Sequence, residues 1–486
     1  MRSAVAESRM NRWRTRQFAL SDTVGRPSIT AFVCLLAIAV AYVLFAPIPS
    51  PNVMAAATVA GCGWVGLMVL WARARGFVTP SLVLLWVAGP FFVGMPLLQL
   101  TIDRYSDYHI GPVPDSFALA SLAVLFYLVT FATGTAVGRS MTVRGAERER
   151  AISYRRAGRI VKLFLVSGCA GWILYFHAMG GVHYFLENLQ NRTQLASGLG
   201  YVFLLATLLQ VGTLIAAAFA AAKQPVLPRP ILITLVVASV ALVLLAGMRS
   251  RAIMFVAMIA IAAHALGRRV PRSQWIALGV LGVVAMIVVG QVRELGSGTG
   301  AILSSKEVKS IVRADSIRLV QQAIVDYGHF DRLSLIQEYV PARVAFQHGH
   351  TFFSTLAAPV PRLVWREKPV GAGPLLANAF RPGAWDLEEG WASGVTPTII
   401  GELFLNFSWV GIVVGGLVVG VIAGWAHGKF ERNRKSIWAV LSYTVFAVLF
   451  LASGTLGEFY GTVLMYTVYA VPIGLAAVYS RSSDRR

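Results

Sequence analysis

"ILITLVVASVALVLLAGMRSRAIMFVAMIAIAAHALG", residues 231–267, is two apolar runs meeting at a junction that carries Arg249 and Arg251. Neither run contains an acid, and each approaches the roughly 20 residues that a helix needs to cross a bilayer. Similar runs recur along the chain at 28–48, 53–72, 79–101, 116–138, 160–179, 199–222, 230–248, 251–267, 274–292, 408–426, 437–453 and 459–480. Of the 486 residues, 56% are hydrophobic and 13% charged. That charged share is about half of the roughly 25% usual for soluble domains. The sequence therefore predicts an all-α polytopic membrane protein with about twelve transmembrane helices. Residues 1–27 read as an N-terminal tail without a signal-cleavage site and 28–292 as spans one to nine. Residues 293–395 read as one large loop, 396–480 as spans ten to twelve and 481–486 as a short tail. The tract "TPTIIGELFLNF" (396–407) is expected to lead into the tenth span and extend it.

The net charge of +21 would suit a nucleic-acid partner, but its distribution argues otherwise. With the N-terminus inside, the inner segments hold 28 of the 43 Lys and Arg residues and 6 acids. The outer ones hold 15 basic and 16 acidic residues, 11 of those basic ones in the loop 293–395. This is the positive-inside pattern of a protein with both termini cytoplasmic. The excess charge suits anionic inner-leaflet lipid, and nucleic acid drops out as a partner.

Arg249 and Arg251 depart from that pattern, because their short connection faces out. Charges at the membrane boundary usually face a partner or a cavity. Arg192 and the loop residues Arg313, Arg318, Arg332, Arg343, Arg362 and Arg366 also lie outside. Guanidinium groups bind phosphate bidentately and keep their charge when buried. Such a set suits a lipid-linked phosphate or an acidic sugar, although loop arginines also pair with loop acids. The loop opens with "LSSKEVKSIVRADSIRLVQQAIVDY" (303–327), whose apolar spacing predicts a helix. A loop of this length in a compact protein usually carries function.

Among carboxylates, Glu402 stands out. Glu402 and Asn406 are i and i+4 on a predicted helix, hence on one face near the outer boundary. An acid with apolar neighbours suits a general base or acid, and an ion-pair partner for an outer arginine is the competing role. Glu458, in "SGTLGEFYG", has the same character. His348 and His350 form an HxH pair with no third ligand nearby, so no metal site is predicted. Cys34, Cys62 and Cys169 lie inside apolar runs and predict no disulfide. Glycines 411, 415, 416, 420, 424 and 428 form overlapping GxxxG steps that let a helix or lipid chain approach closely.

Taken in order, "NRTQLASGLGYVFLLATLLQ", "GMRSRAIMF", "HGHTFFSTLAAPVPRLVWREKPV" and "GVTPTIIGELFLNFSWVGIVVGGLVVG" resemble the bacterial oligosaccharide repeat-unit polymerases of Wzy type, the O-antigen polymerases. The resemblance covers about residues 180–430, and the first 160 residues share hydropathy alone. It is most specific where "PR-x-x-W-x-x-KP", which contains Arg362, Arg366 and Lys368, is followed by "TPT-x-x-GE-x-x-x-NF". Ser408 departs from the family pattern, where glycine completes "NFG". The resemblance implies a metal-independent glycosyltransferase of GT-C type without a cofactor. It would join undecaprenyl-diphosphate-linked oligosaccharides on the outer face of the inner membrane, beside a chain-length regulator. The family's R-x10-G pattern matches Arg362 to Gly373.

Residue chemistry points the same way. Fixed cations stabilise a departing diphosphate, and a carboxylate takes a hydroxyl proton as the anomeric carbon gains positive character. The catalytic set expected on this reading is Glu402, Arg249 and Arg251. Arg192, Arg332, Arg362, Arg366, Lys368 and Asn406 would bind substrate. A glycan ligase on the same scaffold and a lipid-linked oligosaccharide flippase are the rival readings. The unlike halves of the chain speak against a transporter, which commonly shows two similar ones.

Overall fold

The computed structural model describes residues 51–268 and 328–481, except 75, 77, 104, 106–112, 143–151, 189–194, 196–197, 358–359, 361–363, 366, 387–390 and 393. The first and ninth expected spans, the expected helix at 303–327, the N-terminal tail and residues 482–486 lie outside the described residues.

The other ten apolar runs are all helical. They form α1 (Pro51–Arg73), α2 (Pro80–Ile102), α3 (Val113–Ser140), α4 (Tyr154–Ala178), α5 (Gly200–Ala221), α6 (Arg229–Leu245) and α7 (Arg249–Ala265). After the loop helices α8 (His329–Tyr339), α9 (His350–Ala357) and α10 (Ala372–Phe380) come α11 (Thr398–Arg432), α12 (Ile437–Leu456) and α13 (Phe459–Tyr479). Eight of these helices are long and apolar enough to cross a membrane, whereas α6 and α7 have 17 residues each. The chain is a polytopic α-helical membrane protein. The departures from an all-α fold among the described residues are a hairpin of two two-residue strands, with Trp385 opposite Ala392 and Asp386 opposite Trp391, and an isolated bridge between Ile152 and Arg481.

Local chemistry sets several helix ends. Thr79 accepts the Leu82 N–H at 3.3 Å and Pro80 follows it, so α2 starts with a side-chain cap and a pre-set φ. Ser436 caps α12 in the same way.

Glycine governs the packing of α3 on α11. A methyl group added at Gly420 or Gly424 would overlap the carbonyl oxygens of Phe131 and Thr135. One added at Gly134 or Gly138 would overlap those of Leu417 and Val421. The two backbones therefore touch, which is what small residues allow between membrane helices. The partner of the glycine stripe is thus another helix, with glycines of its own.

The tract 396–407 does not extend the tenth span. α11 breaks at Phe407 and Ser408, and Ser408 takes φ 56° and ψ −149°. The chain folds back there. A methyl group added at Gly415 would meet the Leu403 side chain, and one at Gly411 the Leu403 carbonyl. In a straight helix twelve residues would separate Leu403 from Gly415 by about 18 Å. Residues 398–406 are therefore a separate half-helix beside the span.

The two ends of the bundle differ. At one, the Ser153 N–H donates to the Ser480 carbonyl at 2.8 Å and Arg139 pairs with Glu431 at 2.6 Å. Arg432 there hydrogen-bonds the Thr142 carbonyl. At the other end Phe117, near the start of α3, packs on Phe330 of α8. Leu333 and Ile336 of α8 lie against Gly401 of the half-helix. The candidate site is built at that second end.

Candidate functional site

The half-helix 398–406 starts where Thr398 Oγ1 accepts the Gly401 N–H at 3.1 Å. It places Glu402 and Asn406 on one face as expected, and both are completely buried. Glu402 Oε1 accepts the Thr351 hydroxyl of α9 at 2.8 Å. Glu402 Oε2 accepts the main-chain N–H of Phe459 at 2.6 Å. Asn406 Nδ2 donates to Thr351 Oγ1 at 2.7 Å and to the Glu402 carbonyl at 2.8 Å. Asn406 Oδ1 accepts the Gly349 N–H at 2.8 Å. The segment before α9 also closes the end of the half-helix. Gln347 and His348 donate their N–H groups to the carbonyls of Leu405 and Asn406 at 3.0 and 3.1 Å. Buried polar groups require such partners, and here the partners come from two segments distant in sequence, 347–351 and Phe459.

Phe459 opens α13, and the residue before it is Glu458. Glu458 Oε2 accepts the Gly373 N–H at the start of α10 at 2.8 Å. Methyl groups added at Gly371 or Gly373 would stand 3.1 and 2.9 Å from that oxygen, so these glycines make its room. Burial pushes the Glu458 carboxyl above the usual carboxylate range, and the Gly373 N–H offsets part of that rise. Glu402 and Glu458 thus flank one peptide unit and interact electrostatically.

The expected cations distribute differently. Arg332 of α8 donates to Thr396 Oγ1 at 2.8 Å, just before the half-helix. Next to it, burial and the Arg332 charge push His329 down to about 3, so that ring stays neutral. Lys368 donates to the Val360 carbonyl at 3.1 Å. Arg192, Arg362 and Arg366 lie outside the described residues.

Arg249 and Arg251 occupy the first turn of α7, after a turn in which Gly247 adopts φ 74°. The Arg251 guanidinium lies 4.7 Å from the centre of the Phe203 ring. Its Nη1 is buried without a hydrogen-bond partner among the described residues. Tyr469 and Tyr175 are its electrostatic neighbours, and the Tyr469 hydroxyl donates to Gln210 at 2.5 Å. Arg251 lies away from Glu402 along α13. Phe459, which holds Glu402, and Tyr469, which neighbours Arg251, are ten residues apart on α13, about 15 Å along its axis.

Among the described residues no three His, Cys, Asp or Glu side chains gather as a metal-ligand set. His348 serves through its main chain. Cys62 and Cys169 are free thiols. Sequence reasoning missed Thr351, the Phe459 N–H and the Gly371–Gly373 cradle. Thr351 sits in "HGHTFF", where the histidines draw the eye, and a main-chain donor leaves no residue-type signal.

A family model described as O-antigen polysaccharide polymerase Wzy matches residues 377–481. No solved structure matches the chain.

Proposed function

We infer that this chain belongs to the Wzy-type O-antigen polysaccharide polymerases and joins lipid-linked oligosaccharide repeat units into polymer. The observation that carries this reading is a coincidence of place. The matched segment 377–481 contains Glu402, Asn406, Glu458 and Phe459, which are most of the buried carboxylate site.

The finer reading follows from chemistry and charge. The carrier is undecaprenyl diphosphate, and the reaction takes place on the outer face of the bacterial inner membrane. Both termini are cytoplasmic, and twelve spans surround one outer loop in a GT-C-like scaffold. The positive-inside distribution supports this orientation. The end of the bundle bearing Arg139, Arg156 and Arg432 lies opposite the carboxylates, which also supports it. A chain-length regulator is the expected protein partner.

In the reaction a sugar hydroxyl of one lipid-linked unit attacks the anomeric carbon of another chain, and that chain's lipid diphosphate leaves. Protein carboxylates receive the proton, and guanidinium groups hold diphosphate. Arg249 and Arg251 hold one of the two lipid diphosphates. Nη1 of Arg251 is buried without a hydrogen-bond acceptor among the described residues, and an anionic ligand would supply one. An oligosaccharide of several sugars bridges the distance from there to the carboxylates. Arg192, Arg332, Arg362, Arg366 and Lys368 supply the remaining positive charge on the outer side. Asn406 orients Thr351 and hence Glu402, and no metal takes part.

The test is the purified protein in liposomes with an undecaprenyl-diphosphate-linked repeat unit, resolved on a gel. A ladder of chain lengths that persists in EDTA is expected. Units moved across the membrane or onto a different acceptor without growth would overturn the polymerase reading. Arrest by EDTA reversed by magnesium would overturn the metal-independent step.

A further inference from the structure

Two carboxylates meet at this site, and their surroundings give them unequal work. Glu402 is 0% exposed, and both of its oxygens already accept a donor from the protein, Thr351 Oγ1 at 2.8 Å and the Phe459 N–H at 2.6 Å. A sugar hydroxyl reaching it would have to displace one of those donors. Glu458 is only partly enclosed. Its Oε2 is held by the Gly373 N–H, and its Oε1 accepts no hydrogen bond from the described residues. Glu458 stands at the cap position of α13 without capping that helix, so its carboxylate turns to the start of α10 instead. One oxygen is fixed and the other is open, which is the geometry a general base needs.

We propose that Glu458, through Oε1, is the catalytic base of the polymerisation and that Glu402 is a positioning residue acting through Phe459. This rests on the polymerase reading above. The acceptor hydroxyl gives its proton to Glu458 Oε1 while its oxygen forms the bond to the donor's anomeric carbon. The bond from that carbon to the carrier diphosphate breaks, and the diphosphate departs with the electron pair. Glu458 then releases the proton to water. Glu402 accepts the N–H of the peptide between Glu458 and Phe459, and the Gly373 N–H holds the Glu458 carboxylate. Burial raises the Glu458 carboxyl, which strengthens it as a base once it is ionised.

The experiment compares Glu458→Gln, Glu458→Ala, Glu402→Gln and Glu402→Ala in the liposome assay, with and without added formate. Thermal melting is measured on each purified variant. Glu458→Gln is expected to lose about 10²–10⁴-fold in turnover, with KM and melting temperature near those of the wild type. Formate, a small carboxylate, should restore part of the rate to Glu458→Ala. Both Glu402 variants should melt at lower temperature, lose rate in proportion to that loss, and gain nothing from formate. A Glu458→Gln protein that polymerises at the wild-type rate overturns the assignment. So does formate rescue of Glu402→Ala without rescue of Glu458→Ala. A wild-type protein that leaves the lipid-linked units unjoined overturns the polymerase reading, and this assignment with it.

Discussion

The main-chain N–H of Phe459 donates to Oε2 of Glu402 at 2.6 Å across 57 residues of sequence. That bond ties the first turn of α13 to a half-helix that has folded back beside its own span. The contacts around it set most of what the site should do when altered.

Thr351 is the hinge of the network, donating a hydrogen bond to Glu402 and accepting one from Asn406. Thr351→Val keeps the shape and removes both bonds. Leaving two buried polar groups unsatisfied should cost about 1–3 kcal/mol for each. A lower melting temperature, with polymer still made below it, is the expected result. An unchanged melting curve would show that the network adds nothing to stability.

Ser408 adopts φ 56° and ψ −149°, close to a region that glycine alone populates readily. Ser408→Gly should raise stability by about 1 kcal/mol by relieving backbone strain, and Ser408→Val should lower it. Thermal melting of the three proteins in one detergent checks the order.

The α3–α11 contact should tolerate no side chain. Gly420→Leu must push the helices apart, because its methylene would enter the space of the Phe131 carbonyl. Little folded protein is expected by size-exclusion chromatography. Gly474→Ala on α13 meets open space and serves as the control, expected to be neutral or slightly stabilising. Equal yields of the two variants would contradict backbone contact between α3 and α11.

Arg251→Ala should raise the KM for the lipid-linked unit more than it lowers the rate at saturation. The distance from the carboxylates puts this cation away from the reacting atoms. Arg251→Lys should rescue poorly, because a point charge lacks the guanidinium fork. Arg249→Ala should act in the same direction. A pure fall in saturated rate with unchanged KM would place the pair at the chemical step instead.

Acidity should separate function from stability at Glu458. Its folded value is raised by burial, and Glu402 is the titratable group facing it across Phe459. The protonated acid is the form the fold favours. Its contribution to stability is therefore present below the unfolded value and lost as pH rises through the folded one. Activity runs the other way, rising with pH through that same raised value as the base ionises. Rate and melting temperature measured across pH should show opposed trends, and Glu458→Gln should flatten the melting trend. Parallel trends would argue against both the raised value and the base role.

How much of this is legible in the sequence depends on how far the determining contact reaches. The apolar runs predict helices because a bilayer demands internal hydrogen bonding of the backbone, so hydropathy is enough to read ten of them. The i, i+4 spacing of Glu402 and Asn406 predicts a shared face because helical geometry is local. The glycine stripe on α11 is legible as a close approach, but its partner is not, since Gly134 and Gly138 lie hundreds of residues away in the chain.

The rest was decided by tertiary structure. Hydropathy reads 396–426 as a continuous rod, because apolar residues fill both sides of the break and the φ reversal at Ser408 has no compositional mark. Thr351 reaches Glu402 across 51 residues, and Gly373 reaches Glu458 across 85. No periodicity encodes such pairs, and two of the donors are main-chain N–H groups that every residue but proline owns. The sequence alone determined a polytopic helical membrane bundle and a carboxylate worth watching. Only the packing of α9, α10 and α13 around a folded-back half-helix decided which carboxylate is sealed in and which keeps an oxygen open, because burial depends on every neighbour at once.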